Sequence, residues 1–191
     1  SGTATTVTAT DASSYTGTSP TITTVVGAAA KYIVTSSSYS PVAGGAVTIT
    51  AQLSDASDNP VSTANQVVTW SKSDTNGSFA SATSLTDGSG IATVVLTTHT
   101  VSGTATTVTA TDASSYTGTS STVTTVSGAA SKYLVTSNNY SPAAGGTVTV
   151  TAQLSDANNN PVATSGRTVT WSKSNTNGSF AGATSLTNGS G

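Results

Sequence analysis

The chain repeats itself. Residues 1–90 align without a gap onto 102–191, with 70 of the 90 pairs identical and a constant offset of 101. SGTATTVTATDASSYTGTS begins at Ser1 and again at Ser102, AKYIVTS is answered by SKYLVTS, and VVTWSKS by TVTWSKS. Only IATVVLTTHTV, residues 91–101, has no second copy. A period this long exceeds any solenoid unit and suits one small globular domain of roughly 100 residues, large enough to fold without staples. Two periods of 101 would need 202 residues, 11 more than the 191 present, so the chain reads as cut from a longer array. The Gly-Ala-Ala stretch ahead of Lys31 and its later twin ahead of Ser131 are the features that resemble joints. They place one complete domain at 30–130, the end of a preceding domain at 1–29, and the start of a following one at 131–191. A three-residue joint without a Gly/Ser tract holds neighbours close and makes the array semi-rigid.

Within the period, apolar residues recur every second position. Val47, Ile49, Ala51 and Leu53 fall on one face of a strand, with Thr48, Thr50 and Gln52 on the other. Val68 and Trp70 share a face opposite Val67 and Thr69, and only the outward Val67 changes polarity in the second copy, to Thr168. Ala92, Val94 and Leu96 alternate with Thr93 and Val95, and Val108 and Ala110 with Thr107 and Thr109. Ala105 breaks that parity, which predicts a bulge between Ala105 and Thr107. Turn signals stand every 8 to 12 residues, and Asn76-Gly77 and Asp87-Gly88 suit positive φ in tight hairpins. Thr and Val crowd χ1 in a helix. Seven or so short strands in about 100 residues therefore make the expected fold class all-β, one β-sandwich to each tandem domain.

Composition narrows the chemistry. There are 42 Thr and 33 Ser, so 75 of 191 positions carry a small hydroxyl; Lys+Arg is 5, Asp+Glu 7, and Cys and Met are absent. Without thiols there are no disulfides, Cys-ligated metals or Cys nucleophiles, and five cations offer no counterion-release route to nucleic acid. No run of 18 apolar residues suggests membrane insertion.

The succession AGGAVTITAQLSDASDNPV, VTWSKS, NGSF, TDGSGIATVVLT and SGTATTVTATD resembles the bacterial immunoglobulin-like domains of the invasin and intimin type, over the full 101-residue period. The resemblance implies tandem immunoglobulin-like β-sandwich domains, repeated in a surface adhesin or other cell-envelope protein, located extracellularly, with no catalytic residues to carry over. The chain departs from the family in its extra segment SSYTGTSSTVTTV and in its few charges.

Each candidate for chemistry has a bland reading that outweighs it. His99 stands near a strand end among Thr, without catalytic or metal partners. Asp55, Asp58 and Asn59 could offer oxygens to calcium, but Asp58 becomes Asn159, Asp74 becomes Asn175 and Asp87 becomes Asn188 in the second copy. Only Asp11/Asp112 and Asp55/Asp156 persist, which favours turn and Asx-cap duty. Trp70 and Trp171 could stack on sugars, yet their phase with Val68 and Val169 favours a core role. Phe79 and Phe180 cap the end of the core, while Tyr32, Tyr39 and Tyr116 stand near strand starts or turns, where they could contribute to domain joints. Lys31 and Lys72 lack a Glu for a Lys–Asn crosslink. Asn76, Asn139, Asn177 and Asn188 each stand in Asn-x-Ser context.

The expected function is a non-enzymatic extracellular structural repeat of a bacterial surface adhesin or self-assembling filament, with no catalytic residues, no cofactor and no metal. The alternative is a carbohydrate- or receptor-binding module. Expected partners are other copies of the chain through strand edges or domain joints, and a host or neighbouring cell through domains outside this chain. The unprotected, nearly neutral Thr/Ser edges motivate self-association. The segment absent after Gly191 corresponds to a central strand, so the last domain needs either its own continuation or a neighbour's strand.

Overall fold

β-Branched side chains pack well on a pleated surface and poorly in a helix. The computed structural model describes residues 2–191, and none of them is helical. Contacts divide the chain into two compact units, one of residues up to Ser38 with Val47–Leu96 and Thr106–Thr122, the other of Tyr39–Ala46, Thr97–Ala105 and Val123–Gly191.

The first unit opens with β1 (Ala4–Thr5), β2 (Thr8–Thr10), β3 (Thr16–Thr18) and β4 (Ile22–Thr23), in which β1 pairs with β4 and β2 with β3. There follow β5 (Ala29–Ser36), β6 (Ala46–Asp55), β7 (Val67–Lys72), β8 (Ser78–Phe79), β9 (Thr83–Leu85) and β10 (Ile91–Thr97). Next in chain order come β11 (Ala105–Thr106), β12 (Val108–Asp112) and β13 (Thr117–Thr119), and then β14 (Val123–Thr124), which falls in the second unit. Two four-stranded sheets result, in the orders β5-β6-β10-β8 and β13-β12-β7-β9. Strands β5-β6-β10 thus take the A-B-E places and β13-β12-β7 the G-F-C places of an immunoglobulin-like sandwich.

Alternation decides what each sheet turns inward. Val47, Ile49, Ala51 and Leu53 of β6 and Ala92, Val94 and Leu96 of β10 meet Val68 and Trp70 of β7 and Val108 and Ala110 of β12 in one buried cluster. Each large aliphatic chain so buried contributes about 1.5–3 kcal/mol. Gly118 in β13 lies against the backbone of β5: a Cβ there would stand 1.9 Å from the Tyr32 carbonyl oxygen. A side chain at that position would push the two sheets apart.

Three sequence expectations are corrected. The bulge expected at Ala105–Thr107 does not shift the burial parity, because Thr106 keeps phase with Val108 and Ala110 as a buried residue. Its hydroxyl is satisfied by donating to Asp74 Oδ2, while Thr107 leaves the ladder and exchanges bonds with Ser73. In TDGSG the positive φ falls at Gly90 (77°), not Gly88, because the Asp87 carboxylate closes the turn by accepting the Ser89 and Ile91 N–H groups. Tyr32 belongs to the core and not to a joint: it is buried, and its hydroxyl donates to Asp112 Oδ2 at 3.1 Å.

The second unit contains the later copies. Strands β15 (Lys132–Ser137) and β16 (Val150–Ser155) pair in the register of β5 and β6, and β17 (Thr168–Thr170) pairs with β18 (Thr184–Leu186) in the register of β7 and β9.

Candidate functional site

An acidic side chain at the start of a turn can accept backbone N–H groups two and four residues on, which closes the turn without help from elsewhere. Asp11, Asp55, Asp87, Asp112 and Asp156 all do this through Oδ1. Asn188 manages the first of these bonds through its amide oxygen. The pairs that stay acidic in both copies have a second duty in the folded chain. Asp55 Oδ2 accepts the Gly27 N–H at 2.9 Å, and Asp156 Oδ2 accepts the Gly128 N–H at 2.8 Å. Asp112 Oδ2 accepts the Tyr32 hydroxyl. Asp87, which uses only Oδ1, gives way to Asn188. Asp58 and Asn159 exchange for another reason: both sit at positive φ, 66° and 71°, a conformation that either residue tolerates.

Within the second unit the Asp156 loop is the most densely bonded polar cluster. Asp156 is 2% exposed. The Asn160 amide donates to the Thr100 carbonyl at 2.9 Å and to Asp156 Oδ2 at 3.0 Å, and its oxygen accepts the Ser102 N–H at 2.8 Å. Asn158 Nδ2 donates to the Ala43 carbonyl at 2.9 Å, and Ser127 Oγ donates to the Pro161 carbonyl at 2.7 Å. Five bonds therefore join the loop ends at 43, 100–102 and 127–128 to the turn 156–161. In the first unit Gly27, Asp55 and Asn59 repeat the bond from glycine to carboxylate and the supporting amide, with Asn59 Nδ2 3.0 Å from Asp55 Oδ2.

The carboxylates are held ionised. The Asn59 side chain, with the Gly27 amide behind it, lowers Asp55 to about 2, and Asn160 with Gly128 does the same for Asp156, in each case against the opposing effect of burial. Burial first, and Asp112 second, raise the Tyr32 phenol well above its ordinary value, so it remains a donor.

The other candidates lie apart. His99 Nδ1 accepts the Val101 N–H. Lys31 pairs with Asp58 at the surface, and Lys72 donates to the Asp74 and Asn76 carbonyls. Trp70 is 5% exposed in the core, with Phe79 tilted against it at 6.5 Å. Tyr116 packs on the same core, and Tyr39 is exposed, its carbonyl accepting the Thr124 N–H. Among the described residues no group of three His, Cys, Asp or Glu side chains could hold a metal ion. The second copy holds open cavities. One of about 360 Å³ is lined by Tyr133, Val135, Val150, Val169, Trp171 and Phe180, the counterparts of sandwich-core residues, and is the open interior of that copy.

Neither a family model nor a curated protein matches the chain. Among solved structures it is similar to the D00-D0 domain of intimin, 26% identical with a TM-score of 0.48 over 63% of this chain and 62% of that one. It is similar also to the Escherichia coli adhesin FdeC, 21% identical with a TM-score of 0.49 over 89% of this chain and 60% of that one. A glycosyl hydrolase family 2 member from Bacteroides cellulosilyticus matches over 56% of this chain and only 17% of its own, at 19% identity and a TM-score of 0.46. The chain thus spans about three fifths of the intimin and FdeC structures. The strand order of β5 to β13 is, by itself, what makes the sandwich immunoglobulin-like.

Proposed function

We propose that this chain is a non-enzymatic structural repeat whose successive sandwiches are locked into a semi-rigid array, as in the stalk of a bacterial surface adhesin or filament. On this reading 30–130 is one complete module, 1–29 ends the module before it and 131–191 begins the one after. The observation that carries it is the recurrence, 101 residues apart, of one bond: a glycine N–H in the connection donated to a buried carboxylate at the top of the following module. A spacer needs its joints fixed and its surface chemically quiet. The titratable groups here are spent on turns and joints and do not converge on a cleft. The extracellular setting rests on the resemblance of the AGGAVTITAQLSDASDNPV and VTWSKS stretches to invasin- and intimin-type domains. Binding of a host or neighbouring cell is assigned to domains outside this chain.

The test is a distance distribution between spin labels at Thr93→Cys and Thr151→Cys, both exposed positions in a chain free of native Cys. A narrow distribution that broadens in Asn160→Ala supports a locked joint. A broad distribution in the parent would contradict the proposal.

A further inference from the structure

The single His of the chain stands in the loop 99–102, which Asn160 ties to the Asp156 turn. His99 Nδ1 accepts the Val101 N–H at 2.8 Å, closing the turn two residues on as the aspartate oxygens close theirs. The rest of the loop is tied as well. The His99 carbonyl accepts the Gly44 N–H at 2.9 Å, and the Val101 carbonyl accepts the Thr104 and Thr125 hydroxyls at 2.9 and 2.7 Å. One peptide plane joins the two side chains of interest. The Val101 N–H and the Thr100 carbonyl belong to the same planar unit, so His99 holds through the N–H the plane that Asn160 Nδ2 holds through the oxygen. An imidazole nitrogen accepts only while it carries no proton. In this geometry Nδ1 is bare and Nε2 carries the hydrogen. A second proton makes Nδ1 a donor aimed at the Val101 N–H, and the ring must swing away.

We infer that His99 is a proton-sensitive latch on the joint: neutral, it holds the 100–101 peptide plane in place for Asn160, and protonated, it frees that plane and loosens the grip of Asn160 on Thr100 and Ser102. The bond exists only in the neutral form, so its contribution is present at high pH and is lost as pH falls. Histidine is the side chain whose charge ordinarily changes between about pH 5 and pH 8. The charged groups of the same cluster do not mask the change. Asp156, held at about 2, stays ionised across that interval, with its oxygens taken by the Gly128, Asn158 and Asn160 N–H groups. Lys132 Nζ donates to the Ala157 carbonyl on that turn. Neither is ion-paired with His99. Ala43, Gly44 and Gly45, which meet the loop through the Gly44 N–H, carry no charge. A fall in pH thus turns a locked connection into a looser one and leaves the sandwich core as it was.

The inference deepens the locked-array reading and rests on it. It is tested on the 191-residue chain by the protection of the Ser102 amide against hydrogen exchange at pH 7.5 and at pH 5, in the parent, His99→Asn and His99→Ala. Asn supplies at either pH an oxygen that reaches the N–H two residues on, as Asn139 does for Ser141 at 2.9 Å. In the parent, protection is expected to be about two- to tenfold lower at pH 5, the worth of one hydrogen bond. His99→Asn should be protected at both values and His99→Ala weakly protected at both, while Val68 and Leu96 in the core keep their protection throughout. Equal protection of Ser102 at the two values in the parent overturns the latch and leaves the locked joint standing. A loss in His99→Asn as large as that in the parent also overturns it. A Ser102 amide unprotected at both values in the parent overturns the locked joint as well, which separates the two failures.

Discussion

Trp70 and Trp171 occupy the same place in two copies of one sequence, and their near surroundings agree. Each indole donates to a serine hydroxyl 14 residues on at 2.9 Å, and each ring meets a phenylalanine at 6.5 or 6.2 Å with interplanar angles of 43° and 40°. What differs is cover. Val34 is 6% exposed and its counterpart Val135 is 59% exposed. The sandwich around Trp70 has β10 and β12 to close it, whereas among the described residues β17 pairs with β18 alone. Turns, ring pairs and short ladders are therefore written locally, whereas burial depends on strands that arrive from 20 to 80 residues away.

The largest expected effect breaks that contrast directly. Trp70→Ala should cost the closed sandwich about 3–5 kcal/mol by loss of burial and creation of a cavity, while Trp171→Ala, at a position that is only partly buried, should cost less than half as much. Urea titrations followed by the remaining indole in each variant compare the two. Next, Tyr32→Phe leaves a buried Asp112 oxygen without its donor and should cost about 1–3 kcal/mol, whereas Tyr133→Phe, whose copy has no counterpart of Asp112 in this chain, should be silent in the same titration.

A smaller effect sharpens the comparison at the joints. Asp55 and Asp156, lowered from 3.8 to about 2, contribute stability that is fully present above the ordinary carboxylate range and is lost as pH falls through about 2. Cooling of the pH dependence in Asp156→Asn, seen as a flatter melting temperature between pH 5 and pH 2, is the expected outcome; an unchanged slope would remove Asp156 from the joint. Least of all, Asp87→Asn should fall within about 0.5 kcal/mol of the parent, since Asn188 already fills that turn with an amide oxygen.

Much of this was legible in the sequence. The period of two in AVTITAQLS and IATVVLT placed every inward residue of β6 and β10 correctly, because a sheet buried on one side leaves no other reading. The persistence of Asp55/Asp156 and Asp11/Asp112 singled out the right carboxylates. Their reason was not visible, since Oδ2 meets Gly27 or Gly128 across 28 residues and Tyr32 across 80. Asn160, which ties Thr100 and Ser102 to the turn, was missed for the same cause; its place four residues after a persistent Asp was the available signal. Tyr32 stands near a strand start, which suggests a contribution to a joint, but its strand phase with Val34 puts it in the core.

The locked joint is tested most directly by amide hydrogen exchange at Gly128 and Ser102, whose N–H groups donate to Asp156 and Asn160. The expected result is slow exchange at both in the parent, with Ser102 released in Asn160→Ala and Gly128 in Asp156→Ala. Exchange at the free-peptide rate at both sites in the parent, while Val68 and Leu96 remain protected, would show that the sandwich is intact and the joint is not held.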